Sequence, residues 1–172
     1  MGSVSTRGYG YIGPEELRPK AGGGAGGRAI RTSADLDVWM TERGAQEAAE
    51  PFTYVIGLDG LLRLAPRRSE HVACAGGGRV LAAGELGLTR GSGGWAVEDV
   101  TNQSTGYCPD LDSWHSVRAA LEALGLEHPG GFTHEVVFRR CPACAEVGIV
   151  REGDFVCVFC GGELPARWNI AP

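Results

Sequence analysis

The sequence predicts an α+β fold: a β-hairpin-rich mixed body with one or two packed helices, followed by a small cysteine-bearing module at the C-terminus. Three observations lead there. Two pairs of apolar, partly β-branched runs, within 52–66 and 79–103, are each joined by a glycine-containing turn. Two stretches, after Thr32 and around Trp114, repeat apolar residues at helical spacing. Four of the six cysteines stand as two Cys-x-x-Cys pairs. A length of 172 residues suits one body with an appendage, and 43% hydrophobic residues suffice for its core.

The elements follow in order. Residues 1–31 are rich in Gly, Pro and charge, include "AGGGAGG" at 21–27, and are expected to be a flexible arm whose apolar side chains are few, Tyr9, Tyr11 and Ile12 among them. The body is expected to span 32–138. It opens with a helix: Thr32 and Asp35 have capping-box spacing, and Leu36, Trp39 and Met40 share one face. "FTYVIGLDGLLRLAP" (52–66) reads as a hairpin around Asp59-Gly60, a pair suited to a type I′ turn. "RVLAAGELGL" and "WAVEDVTNQ" form a second strand pair across "RGSGG". A helix then places Trp114, Val117, Leu121 and Leu124 toward the sheet, with Asp112 or Ser113 as N-cap and Gly125 as its stop. "GGFTHEVVFRR" is a strand leading into the cysteines, and residues 139–172 form the last module.

Charge and composition exclude some functions. A formal charge of −5 argues against a general duplex nucleic-acid binder, which carries a basic stripe. No run approaches the roughly 18 apolar residues that span a bilayer. The N-terminus has no apolar signal region, so a reducing, cytoplasmic setting is expected.

In "CPACAEVGIVREGDFVCVFC", Cys141 and Cys144 form one knuckle and Cys157 and Cys160 the other. Each turn brings two sulfurs onto one ion, and four thiolates satisfy tetrahedral Zn2+. "VGIV" and "FVCVF", on either side of Glu152-Gly153-Asp154, are expected to pair as a hairpin between the knuckles. Over 138–165 the pattern resembles the zinc-ribbon family, which implies a structural ion with no open coordination position. Iron in a rubredoxin-like site, disulfides, or two reduced thiol pairs are the alternatives. Between Cys141 and Pro172 the acids Glu146, Glu152, Asp154 and Glu163 face only Arg151 and Arg167, so a protein contact suits the module better than a nucleic-acid duplex. "ELPARWNI" then returns, with Leu164, Trp168 and Ile170 expected against the body.

The second feature is the glycine-rich body around 69–88 and 100–109. Its run "AGGGRVLAAGE" has neither Walker nor dinucleotide spacing. His71, Glu85, Ser104 and Tyr107 are the candidate ligand-binding residues. His71, Gly77-Gly78, Ala82-Ala83-Gly84, Ser104, Tyr107 and Pro109, with the flanking hairpin and helix, resemble over 52–126 a module of plant IQ-motif calmodulin-binding proteins and bacterial toxin-like proteins. That resemblance implies a fold but no settled activity. The module's two serines after the His are Val72 and Ala73 here, and its second His is Gly106, so chemistry needing the His pair is lost. No calmodulin-binding segment is evident.

No complete catalytic motif is present. The sequence therefore favours a non-enzymatic binding or adaptor protein with structural zinc, recognising a protein or small ligand. The rivals are a hydrolase or transferase using His71 and Glu85, with Cys108 as a conceivable nucleophile, an immunity or antitoxin-like partner of a toxin, and a single-stranded nucleic-acid binder. A second metal site from His71, Cys74 and Cys108 lacks any short ligand spacing.

Overall fold

A computed structural model describes residues 7–22 and 26–171. Strands β1 (Arg28–Ile30), β2 (Phe52–Gly57), β3 (Leu62–Ala65), β4 (Val80–Gly91) and β5 (Gly94–Val100) form one antiparallel sheet in the order β1-β3-β2-β4-β5. Helices α1 (Ser33–Thr41), α2 (Ala45–Ala48), α3 (His71–Cys74) and α4 (Trp114–Ala123) surround it. The α+β class expected from the sequence is the class observed.

Local signals explain much of this. The Thr32 hydroxyl accepts from the Asp35 amide at 3.2 Å, and the Asp35 carboxylate accepts from the Thr32 amide at 3.0 Å, so the capping box starts α1. Leu36, Trp39 and Met40 are buried as the helical period requires. The β2–β3 connection differs from the expected type I′ turn. Gly57 N–H donates to Leu61 O, and Gly60 at φ +80° is the one loop residue with positive φ. The loop is therefore Leu58-Asp59-Gly60, three residues long, and Asp59 keeps an ordinary backbone. α4 starts after Ser113, one of the two expected N-caps, although the Ser113 side chain makes no cap hydrogen bond; a 3-10 turn (Leu111–Ser113) capped by Asp110 leads into it.

The sheet is covered on both faces, which is why β2 is buried almost from end to end rather than alternating. On one face Phe52, Tyr54, Ile56, Leu64 and Leu86 pack with α1 and with Val117 and Leu121 of α4. On the other, Val55, Val80 and Ala83 meet Val72 and Cys74 of α3, together with Tyr9, Tyr11 and Tyr107.

Tyr9 and Tyr11 bear on the N-terminal arm. The described part of residues 1–31 is not free. Tyr9 exchanges backbone hydrogen bonds with Val80 at 2.7 and 3.0 Å, Ile12 donates to Gly106 O at 2.7 Å, and β1 pairs with β3 from Arg28↔Leu64 to Ile30↔Leu62. Two buried tyrosines and an unfilled sheet edge outweigh the ordering entropy of the intervening glycines. Residues 1–6 and 23–25, which hold part of the glycine run, lie outside the described residues.

Asn102 ties the segment leading into the C-terminal module to the rest of the body. It is fully buried, accepts from Val136 N–H at 2.7 Å, and donates to Val136 O at 2.7 Å and Pro109 O at 3.2 Å. Asn102→Leu strands three buried backbone groups, so a loss of about 3 kcal/mol is expected in urea unfolding. A loss no larger than that of an exposed control would remove this role.

Candidate metal centre

The C-terminal module is built on two short strands, β6 (Phe138–Arg140) and β7 (Val147–Ile149), with register from Phe138↔Ile149 to Arg140↔Val147. Here an expectation is corrected. "VGIV" does not pair with "FVCVF"; it folds back on β6, so that β6 and β7 flank the first knuckle. The second knuckle has its own flanking contact, Val156↔Glu163, with Leu164 N–H donating to Phe155 O at 2.8 Å. The turn at Glu152-Gly153 does form, with φ of +52° and +74°, but its ladder ends after Arg151↔Asp154.

The two knuckles repeat one geometry. In the first, Ala145 N–H donates to Cys141 O at 2.8 Å, and Cys141 N–H donates to Glu146 O at 2.8 Å. In the second, Gly161 N–H donates to Cys157 O at 2.8 Å, and Cys157 N–H to Gly162 O at 2.7 Å. The residue after each second cysteine takes positive φ, Ala145 at +66° and Gly161 at +76°. Glycine fits that position without strain; alanine does not. Gly161 is thus the one legible signal for the strained Ala145, which the sequence reading passed over.

All four sulfurs lie within 4.8 Å of one another, with Cys141–Cys160 at 3.6 Å and Cys144–Cys157 at 3.7 Å. Metal–sulfur bonds of about 2.3 Å place tetrahedral sulfurs about 3.8 Å apart, so the cluster is positioned to hold one metal ion. Backbone amides point at the sulfurs. Gly162 N–H reaches Cys160 Sγ at 3.4 Å, and the Cys144 amide, with that of Ala143, lowers the Cys141 thiol below its ordinary 9.0, whereas desolvation and the neighbouring thiols raise Cys144. Such donors favour the thiolate that a metal requires.

Arg139 and Asn169 also shape the module and were not singled out from sequence. The buried Arg139 guanidinium donates to the carbonyls of Phe138, Pro165 and Ala166, at 2.7 to 3.0 Å. Asn169 caps the outer edge of β6 by accepting from Arg140 N–H at 2.9 Å and donating to Arg140 O at 2.7 Å. Of the expected return contacts, Trp168 and Ile170 reach the body side, and Trp168 Nε1–H donates to Cys108 O at 2.8 Å. Leu164 instead packs inside the module with Cys141, Val150 and Cys157.

The four candidate residues of the body are engaged in internal bonds. His71 Nε2 lies 2.9 Å from Gly84 O. Ser104 is buried, with its hydroxyl accepting from Tyr107 N–H at 3.3 Å. Tyr107 is buried and donates to Gly78 O at 2.7 Å, with the Tyr11 ring edge-on at 5.7 Å. Glu85 is bonded to Thr101 through its backbone. His71 and Glu85 share no hydrogen bond among the described residues. Gly106, where the resembling module has a His, lies under Tyr11, and a Cβ there would come within 2.6 Å of that ring. Cys74 and Cys108 are buried, and burial pushes both thiols up to about 12.

Burial lowers the pKa of His71 from its ordinary 6.5. The unfolded chain therefore takes up the proton first as pH falls, so stability present above 6.5 is lost below it. His71→Asn is expected to flatten that limb of a pH–stability curve, and an unchanged curve would place the loss elsewhere.

Compared with protein-family models, curated proteins and solved structures, the chain matches none. Its class is thus defined by its own geometry: an α+β protein with a C-terminal module whose four cysteines are positioned to hold a metal ion.

Proposed function

We propose that this chain is a non-enzymatic binding protein whose C-terminal module is a zinc ribbon closed by structural Zn2+. The observation that carries the reading is the convergence of four thiols at tetrahedral spacing, each knuckle backed by amide donors. Such a sphere leaves no position for water or substrate, so the ion holds the fold. The tetrathiolate set also suits iron; zinc is the reading because two Cys-x-x-Cys knuckles supply the four thiolates of a structural zinc site. The internal bonds of His71 and Tyr107 and the buried thiols of Cys74 and Cys108 support binding over group transfer. Freshly purified, reduced protein is expected to carry one equivalent of zinc by elemental analysis. X-ray absorption of that sample is expected to fit four sulfur neighbours. Stoichiometric iron, no metal, or an oxygen ligand in the fit would each overturn the zinc reading.

A further inference from the structure

The β6–β7 ribbon has two edges, and they are treated differently. Hydrogen-bonded pairs fall at Val137–Val150, Arg139–Gly148 and Cys141–Glu146, so the intervening Arg140 of β6 and Val147 and Ile149 of β7 turn their N–H and C=O groups outward. Asn169 satisfies Arg140 on one side. On the other, the outward groups of Val147 and Ile149 have no hydrogen-bond partner among the described residues.

That open edge borders a cavity of about 440 Å3, of the size that holds a bound ligand. Its floor includes Ile12 and Cys108 of the body. Arg140, Val147, Ile149 and Arg151 line it from the ribbon, all on one face by the two-residue period. Val158 and Phe159 of the second knuckle line it beside Gly148, each 61% exposed although large and apolar. A Cβ on Gly148 would approach the Phe159 ring to 3.3 Å, so the glycine keeps this flank open. Two arginines oppose the single carboxylate of Glu146 in the lining, in a chain whose formal charge is −5. Arg151 makes no ion pair among the described residues.

We propose that the open edge of β7 and its adjoining cleft bind an extended, acidic segment of a partner protein by strand addition. Main-chain groups of Val147 and Ile149 pair with the incoming backbone, alternate apolar side chains cover Phe159, and carboxylates meet Arg140 and Arg151. A second copy of this chain is a poorer occupant, because edge-to-edge pairing brings another Arg140 and Arg151 to the same face. The proposal rests on the reading of the chain as a binding protein and names the partner class.

The test uses the full, metal-loaded chain and short end-blocked fluorescent peptides of alternating valine and glutamate or valine and lysine. Saturable binding of the acidic peptide is expected, falling at least about tenfold with Arg151→Glu and weakening with salt. Ile149→Pro removes an outward N–H and leaves the β6 ladder intact, so a similar loss is expected, with fold checked by circular dichroism. Hydrogen exchange at Val147 and Ile149 is expected to slow on binding. No binding of the acidic peptide, or equal binding of the lysine peptide, overturns the proposal. So does binding unchanged by Arg151→Glu. A dimer in sedimentation that Ile149→Pro abolishes assigns the edge to a second copy and also overturns it. Metal content read on the same sample separates these failures from a failure of the zinc reading.

Discussion

Stripping the metal with a strong chelator is expected to unfold residues 137–164 while leaving the five-stranded sheet folded. The module has little else to hold it. Its buried apolar cluster is Cys141, Val150, Cys157 and Leu164, supported by Val137, Cys144 and Phe155, and two of the core members are themselves candidate ligands. β6 and β7 are three residues each, while Val156, Val158 and Phe159 face outward. A tetrathiolate ion contributes on the order of 10 kcal/mol to such a segment, far more than this cluster supplies. The main core of the body stands apart from it, since Tyr54, Ile56, Leu64 and Leu86 are buried among themselves and the helices. Hydrogen exchange checks the expectation: amides of Cys141, Val150, Cys157 and Leu164 lose protection on chelation, and those of β2 and β4 keep it. Cys144→Ser is expected to do the same. Unchanged protection in metal-free protein would mean that packing alone holds the module.

Gly84→Ala is expected to produce the largest loss in the body, at least about 4 kcal/mol, with insoluble expression as the extreme outcome. Gly84 lies opposite Tyr54 in the β2–β4 ladder, and the Tyr54 ring passes over it so that its hydroxyl reaches Thr101 O at 2.7 Å. A methyl group at Gly84 would overlap the Thr101 carbonyl and press the Tyr54 ring at 3.1 Å. Neither neighbour can yield, because Tyr54 is fully buried and Thr101 is held by Glu85 O through its amide at 2.9 Å. The same shift would disturb the Gly84 carbonyl that His71 contacts. Gly87→Ala, on the same strand, is the control. A Cβ there meets nothing nearer than 3.6 Å, so its effect should stay within about 1 kcal/mol. Equal losses at the two glycines in chemical denaturation would refute the crossing-tyrosine explanation.

The two expectations differ in how legible they were beforehand. Cys141, Cys144, Cys157 and Cys160 announce a metal cluster because a Cys-x-x-Cys turn is a local geometry, complete within its own few residues. Gly84 was visible only as one glycine in a glycine-rich run. Its role depends on Tyr54 and Thr101, 30 residues before and 17 after it by their numbering. The group His71, Glu85, Ser104 and Tyr107 shows the same limit: polar residues near glycines look like a surface, but Ser104 and Tyr107 are spent on backbone partners. Conversely, the Arg140, Arg151 and Phe159 cleft had no motif to mark it, because an unpaired strand edge exists only once the partners of every strand are known.

What the chain's order of residues determined alone is whatever closes over short range: the Thr32–Asp35 cap of α1, the strand pairs around 52–66 and 79–103, the stop at Gly125, and the two cysteine knuckles. What only the tertiary structure decided is who pairs with whom across distance. β7 returns to β6 instead of meeting Phe155, Tyr9 and Tyr11 bring the N-terminal segment onto the sheet, and Asn102 joins the body to Val136. The physical reason is one of competition. Local turns and caps are satisfied by neighbours whatever the rest of the chain does, whereas a strand edge or an apolar face takes whichever distant partner buries most and leaves fewest polar groups unpaired.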